Sequence, residues 1–461
     1  MPASLVRTLR IKTRRTAGTL GLLTTAFGDV GVMVGEIVTA RIGHTFSIRD
    51  FHAIFDDNNQ LEAAIEAIKH LADSELVEVI NDVKGVHHGG KIRTGSRVDL
   101  SSMYRMQTSY NPGTREMVEL IDENPKLATR FTSVGRTVAI ISDGNGLLGV
   151  GKVKSRAMLP ILEAKAALLA SHAGLNSLPL VLDVKSEDEF IETVTRLAPS
   201  CGAFLLDAIA APRNLRIQEK LQTSLKVPVF DDDADAPAIV GLAAAINACR
   251  RIGKDIKKVK IGQIGLGTAG GAIAALIMKH TGNAVLGEDV HPEAISRHCY
   301  FGGKASSLEE IMGECDVIMA NTGHGNVIPK AMVRKGQAII ALSQPHPEIE
   351  VDDATEAGAA FVADGKAVDK AVALPGVLLG ALGVAARGIN DEMLIAAALC
   401  IADAAVGNDL VPPATERELF PVVACAVAKA AVKSGLADLD QLEPIFFEEA
   451  IEDERQLPFF D

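Results

Sequence analysis

The chain has 461 residues, carrying 46 Lys plus Arg against 59 Asp plus Glu, a formal net charge of -13. That balance argues against nucleic acid and against an anionic membrane surface, because both need a basic face to bind. Hydrophobic residues are 48% of the chain, aromatics only 4%, and Trp is absent. Such small-residue economy suits α/β enzymes with closely packed helices and does not suit disulfide-built or all-β proteins.

The six cysteines are scattered and never form a C-x-x-C pair, so neither a zinc framework nor a secreted disulfide scaffold is indicated. The basic first 15 residues contain no apolar core of a targeting signal, and no apolar run is long enough to span a membrane. A soluble protein of the reducing cytoplasm is expected.

Residues 1–85 read as one small domain. Residues 5–12 alternate as a strand, 18–27 are helical, 32–42 and 45–55 are β-rich, 58–71 form an amphipathic helix and 76–83 a last strand. The order βαββαβ is ferredoxin-like. With Gly18 between the first strand and first helix, the segment resembles ACT domains, regulatory modules that pair and hold an amino acid at the pairing edge. The resemblance implies an amino-acid effector and a homo-oligomer, a dimer or higher; a pairing module without ligand is the equal alternative. Residues 86–104 read as a linker, in which His87 and His88 are polar surface rather than metal ligands.

Residues 105–251 alternate helices with buried β-runs at 137–142, 178–183, 202–206 and 227–230. Residues 252–435 restart as a nucleotide-binding pattern, with β-runs at 258–264, 284–287, 317–320, 338–341 and 360–362 and an Ala-rich helical end. Residues 436–461 are an acidic C-terminal tail. The expected class is therefore α/β: a ferredoxin-like domain, a substrate domain, and a doubly wound Rossmann domain with a helical C-terminus.

The second half carries Gly265-Leu266-Gly267-Thr268-Ala269-Gly270 after a strand and before a helix, the context a dinucleotide fingerprint requires. Gly265 permits the tight turn, Gly267 the approach of a pyrophosphate, and Gly270 the packing of helix on strand. Free N–H groups at Thr268 and Ala269 face the phosphates. The following strand ends in Glu288-Asp289; an acid there accepts from the adenosine ribose and favours NAD over NADP. Asp289 is the better candidate, and Asn321 at the end of the next strand is a further cofactor contact. Arg297 is the only nearby cation in the sequence for a 2′-phosphate.

Three other segments carry polar groups out of place on ordinary core faces: Tyr110 in Ser109-Tyr110-Asn111-Pro112-Gly113, Lys165 inside an apolar helical run, and Asp231-Asp232-Asp233 after a buried strand. With Ala139-Ile140-Ile141-Ser142-Asp143-Gly144, Leu374-Pro375-Gly376 and Ile389-Asn390-Asp391-Glu392-Met393, their order resembles bacterial malic enzymes from residue 110 to about 404. The resemblance implies NAD-dependent oxidative decarboxylation of malate to pyruvate with Mg²⁺ or Mn²⁺. It implies Lys165, with a pKa lowered by its apolar surroundings, as base for the C2 hydroxyl. Asp232 becomes the partner of that Lys, and Tyr110 the general acid for C3. Asp207 and Asp233 become the metal carboxylates.

Several positions depart from the family pattern. Its Glu-Asp metal pair is Asp207-Ala208, and Asp235 is the one nearby acid offering to replace the lost charge. An Asn is Gln344, and an Asn pair is Asp369-Lys370. Arg156 and Lys370 become candidates for an altered anionic contact. These changes leave open a different 2-hydroxy acid as substrate, and a catalytically silent amino-acid sensor as the reading from another class.

Overall fold

Alternating apolar side chains make Leu5–Arg14 a strand (β1) with Leu9 and Ile11 fully buried beneath it. The computed structural model describes residues 5–146 and 153–438, and it divides into two compact units, Met1–Arg93 and Thr94–Asp461. In the first, β1 is followed by the helix Thr19–Asp29, strands β2 (Met33–Ile42) and β3 (Phe46–Phe55), the helix Asn58–Lys69 and strand β4 (Ser74–Ile80). The sheet runs β2-β3-β1-β4, with every pairing antiparallel. Gly18 enters the first helix at φ +89°, a left-handed conformation that a side chain disfavours. Asp57 caps the second by accepting from the Gln60 amide at 2.9 Å. Leu23, Phe27, Phe51, Phe55, Ala64 and Ile68 close the core.

The second unit holds two parallel sheets. The first contains β5 (Thr137–Ser142), β6 (Asn176–Val181), β7 (Ala203–Leu206) and β8 (Val229–Asp231) in the order β6-β5-β7-β8. The second contains β9 (Ile261–Ile264), β10 (Leu286–Glu288), β11 (Lys304–Ala305), β12 (Val317–Ala320), β13 (Ala338–Ala341) and β14 (Phe361–Asp364). Its order, β11-β10-β9-β12-β13-β14, is the doubly wound arrangement in which all strands run parallel and the order of strand addition switches sides of β9. β5, β7, β12 and β13 are buried at every position, which parallel strands covered on both faces require.

Alanine and glycine richness is spent where helices meet. The helix Asp235–Arg251 is buried from Ala236 to Cys249 apart from Pro237, and it packs on Thr268–Thr281 and Asp391–Ala404. A Cβ on Gly241 would lie 2.7 Å from Ile273 Cγ1, so no larger residue fits. Asn247 ties this helix to the C-terminal helices, donating to the carbonyls of Ala402 and Leu410 at 2.9 Å. Among the described residues no helix is long and apolar enough to cross a membrane. The expected acidic tail, from residue 439 onward, lies outside the described residues.

Candidate active site

Parallel strands place their following loops at one edge of the sheet, where ligands of open α/β sheets bind. β7 ends into Asp207, and β8 into Asp232 and Asp233. Two backbone bonds extend the ladder to these acids: Asp207 N–H to the Ile141 carbonyl and Asp232 N–H to the Leu206 carbonyl, both 3.0 Å. Lys165 projects from the helix Leu159–Ala173, whose Leu162, Ala166 and Leu169 are sealed in the core. Its ammonium reaches Asp207 Oδ1 and Asp232 Oδ2, each at 2.6 Å.

Lys370, from the turn between β14 and the helix Leu374–Gly383, completes the cluster. Its ammonium lies 2.7 Å from Asp232 Oδ2 and 3.1 Å from Asp233 Oδ1. Asp233 Oδ2 accepts from the Ala208 amide at 3.1 Å, and Ala208 holds φ +50° to present that amide. Asp207 and Asp232 are only 4% exposed, whereas the Lys370 side chain is 42% exposed.

The charges set one another. Burial alone pushes the Lys165 ammonium down, but Asp232 and Asp207 together outweigh it, and its affinity for the proton is raised. The expected lowered pKa is thereby corrected: apolar neighbours on the helix do not govern a group whose tip touches two carboxylates. Burial pushes Asp232 up, and Lys165 with Lys370 pulls it below the ordinary carboxylate range. Asp207 goes the other way, raised by burial and by repulsion from Asp232 and Asp233 against the pull of Lys165. Lys370 is raised, its two carboxylates outweighing burial.

Asp235 does not replace the charge lost at Ala208. It is half-buried and faces away from the lysines, accepting from Gln218 Nε2 at 2.7 Å and from the Asp231 amide at 2.8 Å. Burial, then repulsion from Asp231, pushes its pKa up to about 8; burial, then Asp233, pushes Asp231 up to about 7. Both values lie above an unfolded value of ~4, so the folded state holds these protons more tightly. Their contribution to stability is therefore complete below pH ~4 and is lost as pH rises through about 7 to 8. Asp235→Asn should consequently gain stability over wild type progressively between pH 4 and 8. Thermal melts across that range check this, and a difference independent of pH would contradict it.

Arg156 is exposed, and Lys370 pairs with protein carboxylates, so neither is placed as a free anion contact. Tyr110 is 69% exposed, and among the described residues its hydroxyl bonds neither Lys165 nor the acids. Gln344 is exposed, and Asp369 is occupied in accepting from the Ala371 amide at 2.9 Å.

The glycine loop follows β9. Gly265 stands at φ +86°, where an added Cβ would meet the Asn321 carbonyl at 2.4 Å; on Gly270 it would meet the Gly265 carbonyl at 2.0 Å. Gly267 has nothing within 4 Å of that position, leaving the backbone open. Thr268 and Ala269 begin the helix Thr268–Thr281, and Thr268 Oγ1 lies 3.5 Å from Asn214, which in turn donates to Asp231 at 2.8 Å. Asp289 accepts from the Leu266 amide at 2.6 Å and the His291 amide at 2.8 Å, while Arg297 donates to the Leu266 carbonyl at 2.8 Å. Asn321 anchors by its amide to the Ile264 carbonyl at 2.8 Å.

Two supports were not anticipated. Arg213 pairs with Asp143 after β5, and fully buried Glu348 accepts from the amides of Thr322 at 2.7 Å and Ser343 at 3.2 Å. Glu348 sits in an ordinary-looking His-Pro-Glu loop, and only burial reveals it.

The malic enzyme N-terminal domain model matches residues 100–222. NAD-dependent malic enzyme 1 of Bacillus subtilis (strain 168) is 39% identical over 430 residues, covering 93% of this chain and 98% of that one. The chain belongs to the malic enzyme family. The malic enzyme of Pyrococcus horikoshii superposes with a TM-score of 0.73 at 28% identity, over 79% of this chain and 92% of that chain. The NAD-dependent malic enzyme of Thermotoga maritima gives 0.69 at 29% identity, over 75% and 98%.

The donor set decides whether the family's divalent ion fits. Asp207, Asp232 and Asp233 bring one oxygen each within 4.8 Å of the others, a metal-cage spacing, and Asp207 Oδ2 is buried without a partner. Yet Asp207 Oδ1, Asp232 Oδ2 and Asp233 Oδ1 each hold a lysine ammonium, Asp233 Oδ2 holds a backbone amide, and position 208 offers only a methyl group. An ion that takes about six oxygens meets few uncommitted carboxylate oxygens, Asp207 Oδ2 among them, and a seated cation. As arranged, the residues do not fit Mg²⁺ or Mn²⁺.

Proposed function

We propose that this malic-enzyme family member oxidises malate with NAD and decarboxylates the product to pyruvate. The observation that carries the reading is Lys165 held at 2.6 Å by two acids at the strand ends, within the same unit as the glycine loop. Lys165 in its neutral form accepts the C2 hydroxyl proton, and Asp207 and Asp232, each at 2.6 Å, hold the ammonium that results. Asp232 keeps the amine oriented. Bound NAD would supply the hydride acceptor for C2; the oxidised product then loses CO₂, whose bonding pair remains as an enolate. Tyr110 is the family-matched acid for C3, with an exposed phenol that has to be brought to the cleft.

NAD binds through Gly265, Gly267, Thr268, Ala269 and Gly270, with Asp289 toward the ribose and Asn321 beside the nicotinamide. Engagement of Arg297 by the loop itself supports NAD over NADP. Asp207 and Asp233 would ligate a divalent ion only with Lys370 displaced. The first unit is read as ACT-like, with an amino-acid effector, and as the site of homo-oligomer pairing. Met33, Ile37 and Ile42, exposed along the edge strand β2, support the pairing role.

The purified chain with NAD and malate should yield NADH, CO₂ and pyruvate in equal amounts. Oxaloacetate accumulating without CO₂ would limit it to dehydrogenation. NADH formed only with another 2-hydroxy acid would move the substrate. NAD binding without turnover of any such acid would favour the silent sensor.

A further inference from the structure

The disagreement between this donor set and a divalent ion has a specific author in the chain, Lys370. By the resemblance to malic enzymes, Asp369-Lys370 stands where that pattern has an Asn pair, and Ala208 where it has a metal carboxylate. One change removes a cation ligand; the other adds a cation. The two meet in space, because Lys370 bridges Asp232 Oδ2 at 2.7 Å and Asp233 Oδ1 at 3.1 Å while the Ala208 amide occupies the other Asp233 oxygen at 3.1 Å. Lys370 also lies 3.3 Å from the Asp232 carbonyl oxygen, so its donors are held by one short stretch of chain.

We propose that the Lys370 ammonium is a tethered replacement for the divalent cation, neutralising Asp232 and Asp233 and making turnover independent of added metal. The inference rests on the malate reading for the substrate it serves. An ammonium supplies a point charge and up to three N–H donors. Two are directed to the acids, and the third makes only the long 3.3 Å contact to the Asp232 carbonyl, which a substrate oxygen replaces at this half-exposed side chain. There it donates to the C2 oxygen, which gains negative charge as CO₂ departs and the bonding pair is delocalised onto it. No proton leaves Lys370 in this step, so nothing further has to balance. Lysine is weaker than a divalent ion as an electrophile, but it cannot dissociate and requires no carboxylate at position 208.

The test is direct Mn²⁺ binding, read from the paramagnetic resonance of free Mn²⁺, on the metal-stripped full chain with NAD present. Wild type should bind Mn²⁺ weakly, and Lys370→Asn or Lys370→Met should bind it at least about ten-fold more tightly, because the acids lose their resident cation. In parallel, NADH formation by wild type should survive EDTA. Wild-type Mn²⁺ affinity equal to that of both variants, or loss of wild-type turnover in EDTA with recovery on adding Mn²⁺, overturns the proposal. The wild-type arms need no variant to fold. Absence of malate turnover under every condition would count against the malate reading, while the Mn²⁺ titration would still decide the role of Lys370.

Discussion

Lys165→Ala should lower kcat for NADH formation from malate by about 10²–10⁴-fold, the range lost with a positioned general base. NAD affinity should stay unchanged, because no contact joins Lys165 to the glycine loop among the described residues. Lys165→Arg separates charge from proton transfer: it preserves a cation between Asp207 and Asp232 but cannot shed a proton at neutral pH. Both variants should be comparably inactive. An arginine variant with near-normal turnover would show that Lys165 serves only as a charge, and an active alanine variant would remove it from the chemistry altogether.

Asp232→Ala should be the most destabilising single change in the cluster. Asp232 is the one acid that touches both ammonium groups, and it is 4% exposed. Its loss leaves Lys165, itself 17% exposed, with Asp207 alone, and leaves Lys370 with only the partly open Asp233. Removing one partner from a buried charged network costs about 3–5 kcal/mol, because the remaining charges stay desolvated. Denaturant unfolding of Asp232→Ala beside Asp232→Ala/Lys370→Met measures how much of that cost is the stranded Lys370 ammonium. The second substitution should recover part of the loss. A single-variant cost below about 1 kcal/mol would mean that water or a rearranged side chain replaces Asp232 without difficulty.

Much of this was readable before any coordinates. The glycine fingerprint lies within ten residues, and each of its positions obeys a local steric need that the structure displays: Gly265 at φ +86° and Gly270 against the Gly265 carbonyl. Lys165 stood out as a cation inside an apolar helical run, and the resemblance to malic enzymes made it the base. Asp232 stood out as one of three acids after a buried strand, and the resemblance singled it out among them. The signs of the proton affinities were not readable. The helix around Lys165 argued for a lowered pKa, and two carboxylates from β7 and β8 reversed it. Asp235 looked like a spare ligand by its position, yet its side chain turns away from the lysines to Gln218 and the Asp231 amide. Glu348 carried no motif at all.

The sequence by itself determined the α/β class and the glycine loop, since these follow from periodicity and turn chemistry over short spans; the acids and the base were named only through the resemblance to malic enzymes. Only the tertiary structure decided which charges meet. Lys370 and Asp232 are 138 residues apart along the chain, and their contact depends on how two parallel sheets pack around the helix Asp235–Arg251. Electrostatic energy depends on distance through space and on exclusion of water, and neither quantity is carried by the order of residues.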